Sequence, residues 1–317
     1  MKALRVEKKR VAVRDVDKPI AGEEALVRVL LSGICNTDLE IAKGYAGFQG
    51  TIGHEFVGVV EQAPERSLIG RRVVGEINAG CGKCALCRSG DPRHCNYRTV
   101  LGIVGRDGAH AEYLKLPAIN LLPIPDKVPD EHAVFVEPLA AACGVTDRVS
   151  VTTDDSVAVI GDGKLGLLCA QAIALTGARV LSIGRHPDKQ RIVERRGVEV
   201  TSPKKATKRA REFDVVIEAS GSPTGFDLAL TLLRPRGTLV LKSTFQGNSE
   251  INAARIVVDE LRIIGSRCGR FGPAIDLLRK GAVDVDSLIS EEYPLANGVH
   301  AMQRAASKGI LKVLLRP

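Results

Sequence analysis

One strand–turn–helix–strand unit, between residues 156 and 184, constrains the fold more than any other feature. Its parts are the apolar run SVAVIG (156–161), the helically spaced KLGLLCAQAIALTG (164–177) and the apolar run ARVLSIG (178–184). Three further segments continue the alternation of strand and helix: 214–221, 226–237 and 238–243. Alternating strands and helices form parallel sheets, because each crossover helix packs on a face of the sheet. We therefore predict a doubly wound, mostly parallel sheet in this half of the chain.

The first 120 residues have a different pattern, in which short β-branched runs are interrupted by glycine. The runs are ALVRVLL (25–31), FVGVVEQ (56–62), RVVGEI (72–77) and AEYLKL (111–116). This pattern is typical of an antiparallel, barrel-like β domain with functional loops. A length of 317 residues also fits two domains of about 150 residues each.

Composition excludes several classes of protein. Hydrophobic residues make up 44% of the chain and charged residues 26%, which is an ordinary globular balance and excludes disordered and collagen-like chains. No stretch approaches the roughly 18 apolar residues that span a bilayer. The N-terminus carries charges, such as Lys2 and Arg5, where a signal peptide is apolar. We expect a cytoplasmic protein with no membrane partner.

The basic charge of the chain does not by itself indicate nucleic acid. The net charge is +8, but aromatic residues make up 3% and tryptophan is absent. Proteins that bind single-stranded nucleic acid interleave aromatic and basic residues for base stacking. We therefore expect no nucleic-acid partner and interpret the basic run at 204–211 as a solvated face.

Four of the eight cysteines fall within fifteen residues, at Cys81, Cys84, Cys87 and Cys95. The spacing C-x2-C-x2-C-x7-C places four thiolates on one loop, which can close a tetrahedral site around zinc. An iron–sulfur cluster and unliganded thiols are the alternatives, although the bacterial ferredoxin run has three residues before its last cysteine. A site of four thiolates has no open position, so we predict a structural role for this zinc.

Three glycines mark a candidate cofactor turn. Gly161, Gly163 and Gly166 follow an apolar strand and open a helix, which is the context of the dinucleotide-binding fingerprint. The N–H groups at the helix N-terminus and the helix dipole favour a pyrophosphate there. A purely structural turn between strand and helix is the alternative.

The end of the second strand indicates which cofactor is preferred. NAD enzymes usually place Asp or Glu there to bind the ribose hydroxyls, but this chain has Gly184, Arg185 and His186. Without a carboxylate, a 2′-phosphate is not repelled, and the Arg185 guanidinium can bind it. We predict NADP(H) as the cofactor. The alternative is that Arg185 is a surface residue without a ligand.

Several segments together carry a family resemblance. They are GICNTDLE (33–40), GHEFVGVV (53–60), the four-cysteine loop, GRDGAHAEYL (105–114), VEPLAAA (136–142) and VIGDGKLG (159–166). In this order they resemble the zinc-dependent alcohol dehydrogenases of the medium-chain dehydrogenase/reductase superfamily, over essentially the whole chain. The resemblance implies a GroES-like β-barrel catalytic domain at 1–143 and 271–317, and a Rossmann cofactor domain at 144–270.

The resemblance also implies a second, catalytic zinc in the cleft between the two domains, with Cys35 and His54 as ligands. Glu137 takes the place of the third ligand, as in the threonine and polyol dehydrogenase branch. Glu55 matches a family residue that either approaches the metal or stays behind its ligands. Whether Glu55 or Glu137 binds the zinc is left open. Cys143, on an alanine-rich helical stretch, is interpreted as a packed thiol.

Further roles follow from the same resemblance. Asp38 would orient the metal-binding histidine, and Thr37 would bind the substrate oxygen and pass on its proton. Glu40 stands where relatives often have a relay histidine, which leaves the rest of the proton path open. Lys312 is expected to reach the pyrophosphate, and the backbone of residues 266–268 the nicotinamide carboxamide.

The function implied is hydride transfer between an alcohol or polyol, or the matching carbonyl compound, and NADP(H), with two zinc ions per chain. We expect a homo-oligomer, a dimer or a tetramer. A non-catalytic, zinc-stabilised NADPH-binding sensor or structural protein is the main alternative. Such a protein would lack the second zinc.

Overall fold

The computed structural model describes residues 1–243 and 251–317. Over these residues the chain divides into two compact units. The first comprises Met1–Glu137 and Ile275–Pro317, and the second Pro138–Ala274. The predicted boundaries lie at 143/144 and 270/271, so the structure moves a few residues, including Cys143, into the second unit.

The described residues form eighteen strands. They are β1 (Lys2–Glu7), β2 (Arg10–Asp15), β3 (Ala25–Gly33), β4 (Gly50–Thr51), β5 (Glu55–Gln62), β6 (Arg72–Gly75), β7 (Asn78–Ala79), β8 (Thr99–Val100), β9 (Tyr113–Leu116), β10 (Leu121–Pro123), β11 (Ser156–Ile160), β12 (Arg179–Ile183), β13 (Glu199–Thr201), β14 (Phe213–Glu218), β15 (Leu233–Leu241), β16 (Arg262–Gly265), β17 (Ile289–Pro294) and β18 (Lys312–Arg316).

The same ranges contain eleven α-helices. They are α1 (Asn36–Ala42), α2 (Ala85–Arg88), α3 (Asp130–Ala133), α4 (Val136–Cys143), α5 (Lys164–Ala174), α6 (Pro187–Glu194), α7 (Pro203–Ala206), α8 (Pro223–Leu232), α9 (Ala253–Val258), α10 (Phe271–Arg279) and α11 (Gly298–Ala305). Within the described parts of the chain, no helix has the length and apolarity needed to cross a bilayer.

The first unit is built on a seven-stranded sheet. Its strand order is β10-β6-β5-β3-β18-β17, and β9 also pairs with β3. All neighbours are antiparallel except β17 and β18. Apolar side chains such as Val27, Val29 and Phe56 pack into its core. Gly33 pairs with both Glu55 and Leu314, so the end of β3 lies between the starts of β5 and β18.

The second unit is a six-stranded, fully parallel sheet of order β13-β12-β11-β14-β15-β16. Its strands are apolar along most of their length, since helices cover both faces of such sheets. Residues such as Ile160, Leu181, Val216 and Leu239 form its core. The order reverses between β11 and β14, which is where doubly wound sheets bind ligands, outside the carboxyl ends of the strands. The predicted β-rich half and doubly wound half are both confirmed.

One predicted helix ends earlier than expected. The sequence suggested a helix over 226–237, but α8 ends at Leu232 and β15 begins at Leu233. Pro235 explains the difference, because a proline cannot donate a helical hydrogen bond and disfavours the α conformation of the residue before it.

Candidate active site and cofactor turn

The four-cysteine loop brings its sulfurs together. The ligand atoms of Cys81, Cys84, Cys87 and Cys95 all lie within 4.8 Å of one another, and all eight cysteines of the chain are free of disulfides. Tetrahedral zinc with Zn–S bonds of about 2.3 Å requires sulfurs about 3.8 Å apart. The Sγ atoms of Cys84 and Cys95 are 3.7 Å apart. The loop therefore fits a closed zinc site.

Backbone N–H groups in this loop stabilise the thiolate form of its cysteines. The N–H groups of Cys81 and Tyr97 donate to Cys95 Sγ, at 3.4 and 3.3 Å. The backbone N–H of Lys83, followed by that of Cys84, lowers the pKa of Cys81 to about 6. Cys87 differs, because burial and then the Cys84 side chain raise its pKa to about 11. Metal binding would displace the proton that remains on such a thiol.

A second group of metal donors forms where β3 ends and β5 begins. One ligand atom each from Cys35, His54 and Glu55 lies within 4.8 Å of the others. Cys35 precedes α1, and the pairing of Gly33 with Glu55 brings it beside His54. His54 is 3% exposed and Glu55 1%. A thiolate, an imidazole and a carboxylate are donors that zinc accepts, and three protein donors leave a fourth position open.

Asp38 lies behind His54, as the sequence predicts. Its carboxylate is fully buried and accepts hydrogen bonds from the backbone N–H of Cys35 (2.8 Å) and of Gly53 (3.1 Å). Its Oδ1 is 3.4 Å from His54 Nδ1. Burial raises the pKa of Asp38, but His54 and His110 outweigh burial and hold it well below the usual value. Because Nδ1 faces Asp38, His54 presents Nε2 to a metal.

The other predicted residues of this site have different surroundings. The Thr37 hydroxyl lies 3.7 Å from Cys35 Sγ. Glu137, in the first turn of α4, is not a member of the Cys35, His54 and Glu55 donor group. Glu40 forms an ion pair with Lys43 at 2.8 Å on the surface.

Lys312 has a partner within the first unit. Its side chain is fully buried in the first unit and forms an ion pair with Glu55 Oε2. Its Nζ also lies 5.5 Å from the ring centre of Phe135. This ion pair was not expected from the sequence, and the contact of Lys312 with the pyrophosphate stays a prediction. The partner of Lys312 is Glu55, 257 residues away in the sequence.

The glycine-rich turn requires glycine at two of its three positions. Gly161 has a φ of +118°, and an added Cβ there would lie 2.6 Å from the Ala219 carbonyl oxygen. A Cβ on Gly166 would lie 2.0 Å from the Gly161 oxygen. At Gly163, the residue before α5, a Cβ would meet no atom within 4 Å. The open space at the start of α5 fits a pyrophosphate, which binds at helix N-termini.

Asp162, within that turn, makes contacts with the end of β12 that the sequence analysis did not predict. Its Oδ2 accepts hydrogen bonds from the backbone N–H of Arg185 (2.6 Å) and of His186 (2.7 Å). His186 Nδ1 lies 3.1 Å from the same oxygen. An added Cβ on Gly184 would lie 2.5 Å from it. The turn thus places a carboxylate beside β12, so the premise that a 2′-phosphate meets no carboxylate there does not hold, although the backbone N–H groups of Arg185 and His186 already bind this one.

The Arg185 side chain projects into solvent at the carboxyl edge of the sheet. Its guanidinium lies 3.4 Å from the Thr224 hydroxyl at the start of α8. The Thr224 hydroxyl in turn lies 3.2 Å from the Ser222 hydroxyl. This side chain is therefore accessible to a phosphate.

Residues 266–268 are held by a buried lysine, which is a second residue that the sequence analysis missed. Lys242 Nζ donates to the carbonyl oxygens of Ala141 (2.6 Å) and Arg267 (3.1 Å). Nearby, burial raises the pKa of Cys143 to about 11, so that side chain is a neutral thiol.

Comparison with known proteins agrees with the fold and with the donor groups. Residues 21–126 match the alcohol dehydrogenase GroES-like domain, and residues 165–280 match the zinc-binding dehydrogenase family. Fold and sites thus define a zinc-binding dehydrogenase, one of the oxidoreductases. More narrowly, the chain belongs to the zinc-dependent alcohol and polyol dehydrogenases of the medium-chain dehydrogenase/reductase superfamily, and the predicted family and fold class are confirmed.

Two curated relatives extend over nearly the whole chain. The starvation-sensing protein RspB of Escherichia coli K12 is 31% identical and covers 99% of each chain. The erythritol/L-threitol dehydrogenase of Mycolicibacterium smegmatis is also 31% identical, over 93% of this chain and 91% of its own.

Two solved structures share the fold and differ in cofactor. A zinc-binding dehydrogenase of Sinorhizobium meliloti 1021 bound to NADP has a TM-score of 0.91 at 30% identity, over 100% of this chain and 99% of its own. The rspB alcohol dehydrogenase of E. coli CFT073, in complex with NADH, has a TM-score of 0.92 at 29% identity over the same shares. Structures similar to this chain thus contain either cofactor.

Proposed function

We propose that this protein is a zinc-dependent, NADP(H)-preferring dehydrogenase of an alcohol or polyol. The donor group of Cys35, His54 and Glu55, with Asp38 behind His54, carries the proposal. A merely structural metal site would not need an open fourth position. The erythritol/L-threitol dehydrogenase among its relatives supports a substrate with several hydroxyl groups.

Cys35 and His54 would hold the catalytic zinc, and two carboxylates compete for the third position. Glu55 belongs to the donor group but is bonded to Lys312. We therefore propose Glu137 as the third ligand and Glu55 as a charge held close to the metal. Zinc content distinguishes the two, because Glu137→Gln should release the catalytic zinc and Glu55→Gln should retain it.

Bound zinc would lower the pKa of a substrate hydroxyl, and bound NADP+ would accept the hydride. Residues of the chain would transfer the proton and orient the metal ligands. Thr37 Oγ1 would take the proton of the substrate hydroxyl while its own hydroxyl proton passes to water. Asp38 would keep the proton of His54 on Nδ1, so that Nε2 faces the metal.

A substrate panel tests the activity. Alcohols, polyols and their carbonyl counterparts would be followed by NADPH absorbance, and elemental analysis of the purified protein should give two zinc ions per chain. Cys35→Ala should lower this to one. If Cys35→Ala leaves the zinc content and turnover unchanged, the catalytic site is wrongly assigned. If the loop holds iron with a visible absorption band, the structural zinc is wrongly assigned.

Cofactor preference is tested at Arg185. Charge-assisted hydrogen bonds contribute about 1.5–3 kcal/mol, so Arg185→Ala should weaken NADPH binding by roughly tenfold to a hundredfold. NADH lacks the phosphate and should bind almost unchanged. Arg179→Ala is the matched control, since Arg179 is an exposed arginine at the opposite end of β12. Calorimetry at one fixed salt concentration measures both cofactors, because salt screens phosphate contacts.

Two results would contradict this assignment of the cofactor. Wild-type protein that prefers NADH would exclude it, and so would equal weakening of both cofactors by Arg185→Ala. In either case the dehydrogenase activity would stand.

A sensor without turnover is the second candidate, favoured by the name of the E. coli relative, a starvation-sensing protein. Such a protein would bind NADPH but would hold one zinc and oxidise no member of the panel. Turnover that is lost on His54→Ala would exclude it.

Assembly and location stay predictions. We propose a homodimer or homotetramer, which light scattering of the purified protein would measure, and a cytoplasmic location, which cell fractionation would test.

A further inference from the structure

A second histidine lies on the same buried carboxylate as His54. His110 is fully buried, and its Nε2 is 3.5 Å from Asp38 Oδ2. On the other side, His54 Nδ1 is 3.4 Å from Asp38 Oδ1. Each of these two nitrogens lies at ion-pair distance from the carboxylate, and neither makes a hydrogen bond of good geometry in the part of the chain that the structure describes. The carboxylate is therefore shared between a proposed zinc ligand and a residue to which no role has been given.

Ser32 determines which nitrogen of His110 carries the proton. Its hydroxyl, also fully buried, lies 2.8 Å from His110 Nδ1. A neutral imidazole has one N–H and one lone pair. A lone pair on Nε2 would face the Asp38 carboxylate and be repelled, so the proton belongs on Nε2. Nδ1 then accepts a hydrogen bond from the Ser32 hydroxyl, and this bond stabilises the required tautomer.

The ring of His110 also packs directly on the backbone that carries His54. A Cβ added to Gly53 would lie 2.6 Å from Cγ and Nδ1 of His110. Gly53 precedes His54 and has a φ of +98°, which favours glycine. The His110 ring therefore fills the space that a side chain at position 53 would need. It fixes the path of the backbone as well as the carboxylate.

We propose that His110, oriented by Ser32, is a positioning residue for the catalytic zinc site. Its Nε2–H faces Asp38 Oδ2 and orients the carboxylate. Asp38 Oδ1 then points at His54 Nδ1, which leaves Nε2 of His54 for the metal. Two backbone N–H groups donate to Asp38, and the two imidazoles face its two oxygens at 3.4 and 3.5 Å, which together favour one orientation of the carboxylate. This inference rests on the proposed zinc function.

The test measures the affinity of the catalytic site for zinc, by competition with a chelator, in protein that keeps its loop zinc. His110→Leu removes both ring nitrogens and should weaken zinc binding by about tenfold, the low end of the effect of losing a partner of a metal ligand. Ser32→Ala should weaken it less. His110→Gln, whose side-chain amide can donate to Asp38, should restore part of the affinity.

A matched control separates this role from general damage to the core. Asn120 is also buried in the first unit, where its side chain donates to the carbonyl oxygens of Glu76 and Asn78. Asn120→Leu should lower thermal stability and leave the zinc affinity unchanged. If His110→Leu does the same, the proposed role is overturned.

A double-mutant cycle identifies the route of the effect. If His110 acts through Asp38, then His110→Leu should change zinc affinity little once Asp38→Asn is present. If the two substitutions weaken zinc binding independently, so that their fold-changes multiply in the double variant, the proposal is overturned. If His110→Leu does not fold, Ser32→Ala carries the same cycle, because it removes only a hydroxyl. A wild-type protein without a zinc that depends on Cys35 would overturn the proposed function, and this inference with it.

Discussion

The two groups of metal donors in the first unit are built in opposite ways. The four thiolates come from one fifteen-residue loop, and their stabilising partners are backbone N–H groups of the same loop. Cys35, His54 and Glu55 come from the ends of two paired strands. Their partners are side chains from elsewhere, such as Asp38, which caps the turn after β3, and Lys312, which lies on β18.

This difference agrees with the proposed roles, in which one site holds a loop and the other takes part in the reaction. Four ligands on one loop satisfy zinc fully and leave no room for a substrate. A site with Cys35, His54 and one carboxylate as ligands leaves a position open, but donors at the meeting point of strands place charged groups inside the protein. Those charges require buried partners, and the partners make the second site sensitive to changes far away in the sequence.

The largest expected effect is at His54. His54→Ala should lower kcat by about a thousandfold or more, because the loss of the zinc removes several kcal/mol of charge stabilisation in the transition state. Binding of NADPH should remain nearly unchanged, since the glycine-rich turn belongs to the other unit. Steady-state kinetics and a cofactor titration check both statements. Normal turnover, or loss of cofactor binding, would show that the roles are not divided in this way.

A smaller effect is expected at Lys312. Lys312→Met leaves the Glu55 carboxylate buried without its partner, which should cost about 3–5 kcal/mol of unfolding free energy. Chemical denaturation measures this loss. Adding Glu55→Gln should recover most of it, because the unpaired charge is then removed. A double variant as unstable as Lys312→Met alone would show that packing, and not charge, explains the loss.

The smallest effect is expected in the four-thiolate loop. Cys87→Ser should release one zinc per chain and lower the melting temperature by about 5 °C, since the loop can open without unfolding the sheets. Turnover at temperatures below the transition should remain close to that of the wild type. Ser67→Ala, on the exposed surface of the same unit, provides the control. Loss of turnover on Cys87→Ser would mean that the two sites are coupled.

The parts of the molecule that depend on nearby residues could be predicted from the sequence. The four cysteines are close in the chain, so their spacing alone predicts that their sulfurs meet. The parallel sheet follows from apolar strands that alternate with helices. Asp38 was placed behind His54 through the resemblance to a family, and spacing alone would not have found it.

The carboxylate beside β12 could not be predicted in the same way. The sequence after β12 has no acidic residue, and Asp162 reaches that place because β11 and β12 are parallel neighbours. The sequence alone would suggest Gly184→Asp as a change that favours NADH. The structure corrects this, because a Cβ at position 184 would collide with Asp162 Oδ2. The substitution would displace Asp162 before it offered any new contact to a ribose.

The side chains around the donor group of Cys35, His54 and Glu55 could not be predicted for a related reason. Ser32, His110 and Lys312 reach the surroundings of this site only through the register of β3, β5 and β18 and through the loop that precedes β9. Each of these residues looks ordinary where it stands in the sequence. A signal was present in GRDGAHAEYL, whose histidine sits between alanines in a stretch that the fold buries, but only tertiary structure shows what that histidine faces.

The sheet of the first unit cannot be completed until the end of synthesis, because β18 is its last strand to be translated. This strand lies between β3 and β17 in the sheet of the first unit, yet it is translated after the whole of the second unit. At about 5–20 residues per second, the ribosome needs on the order of 10–50 s to travel from Glu55 to Lys312. Throughout that interval the nascent chain holds an incomplete sheet and an unneutralised glutamate. Chaperones that bind exposed strand edges are therefore expected to bind this chain mainly before its last residues leave the ribosome.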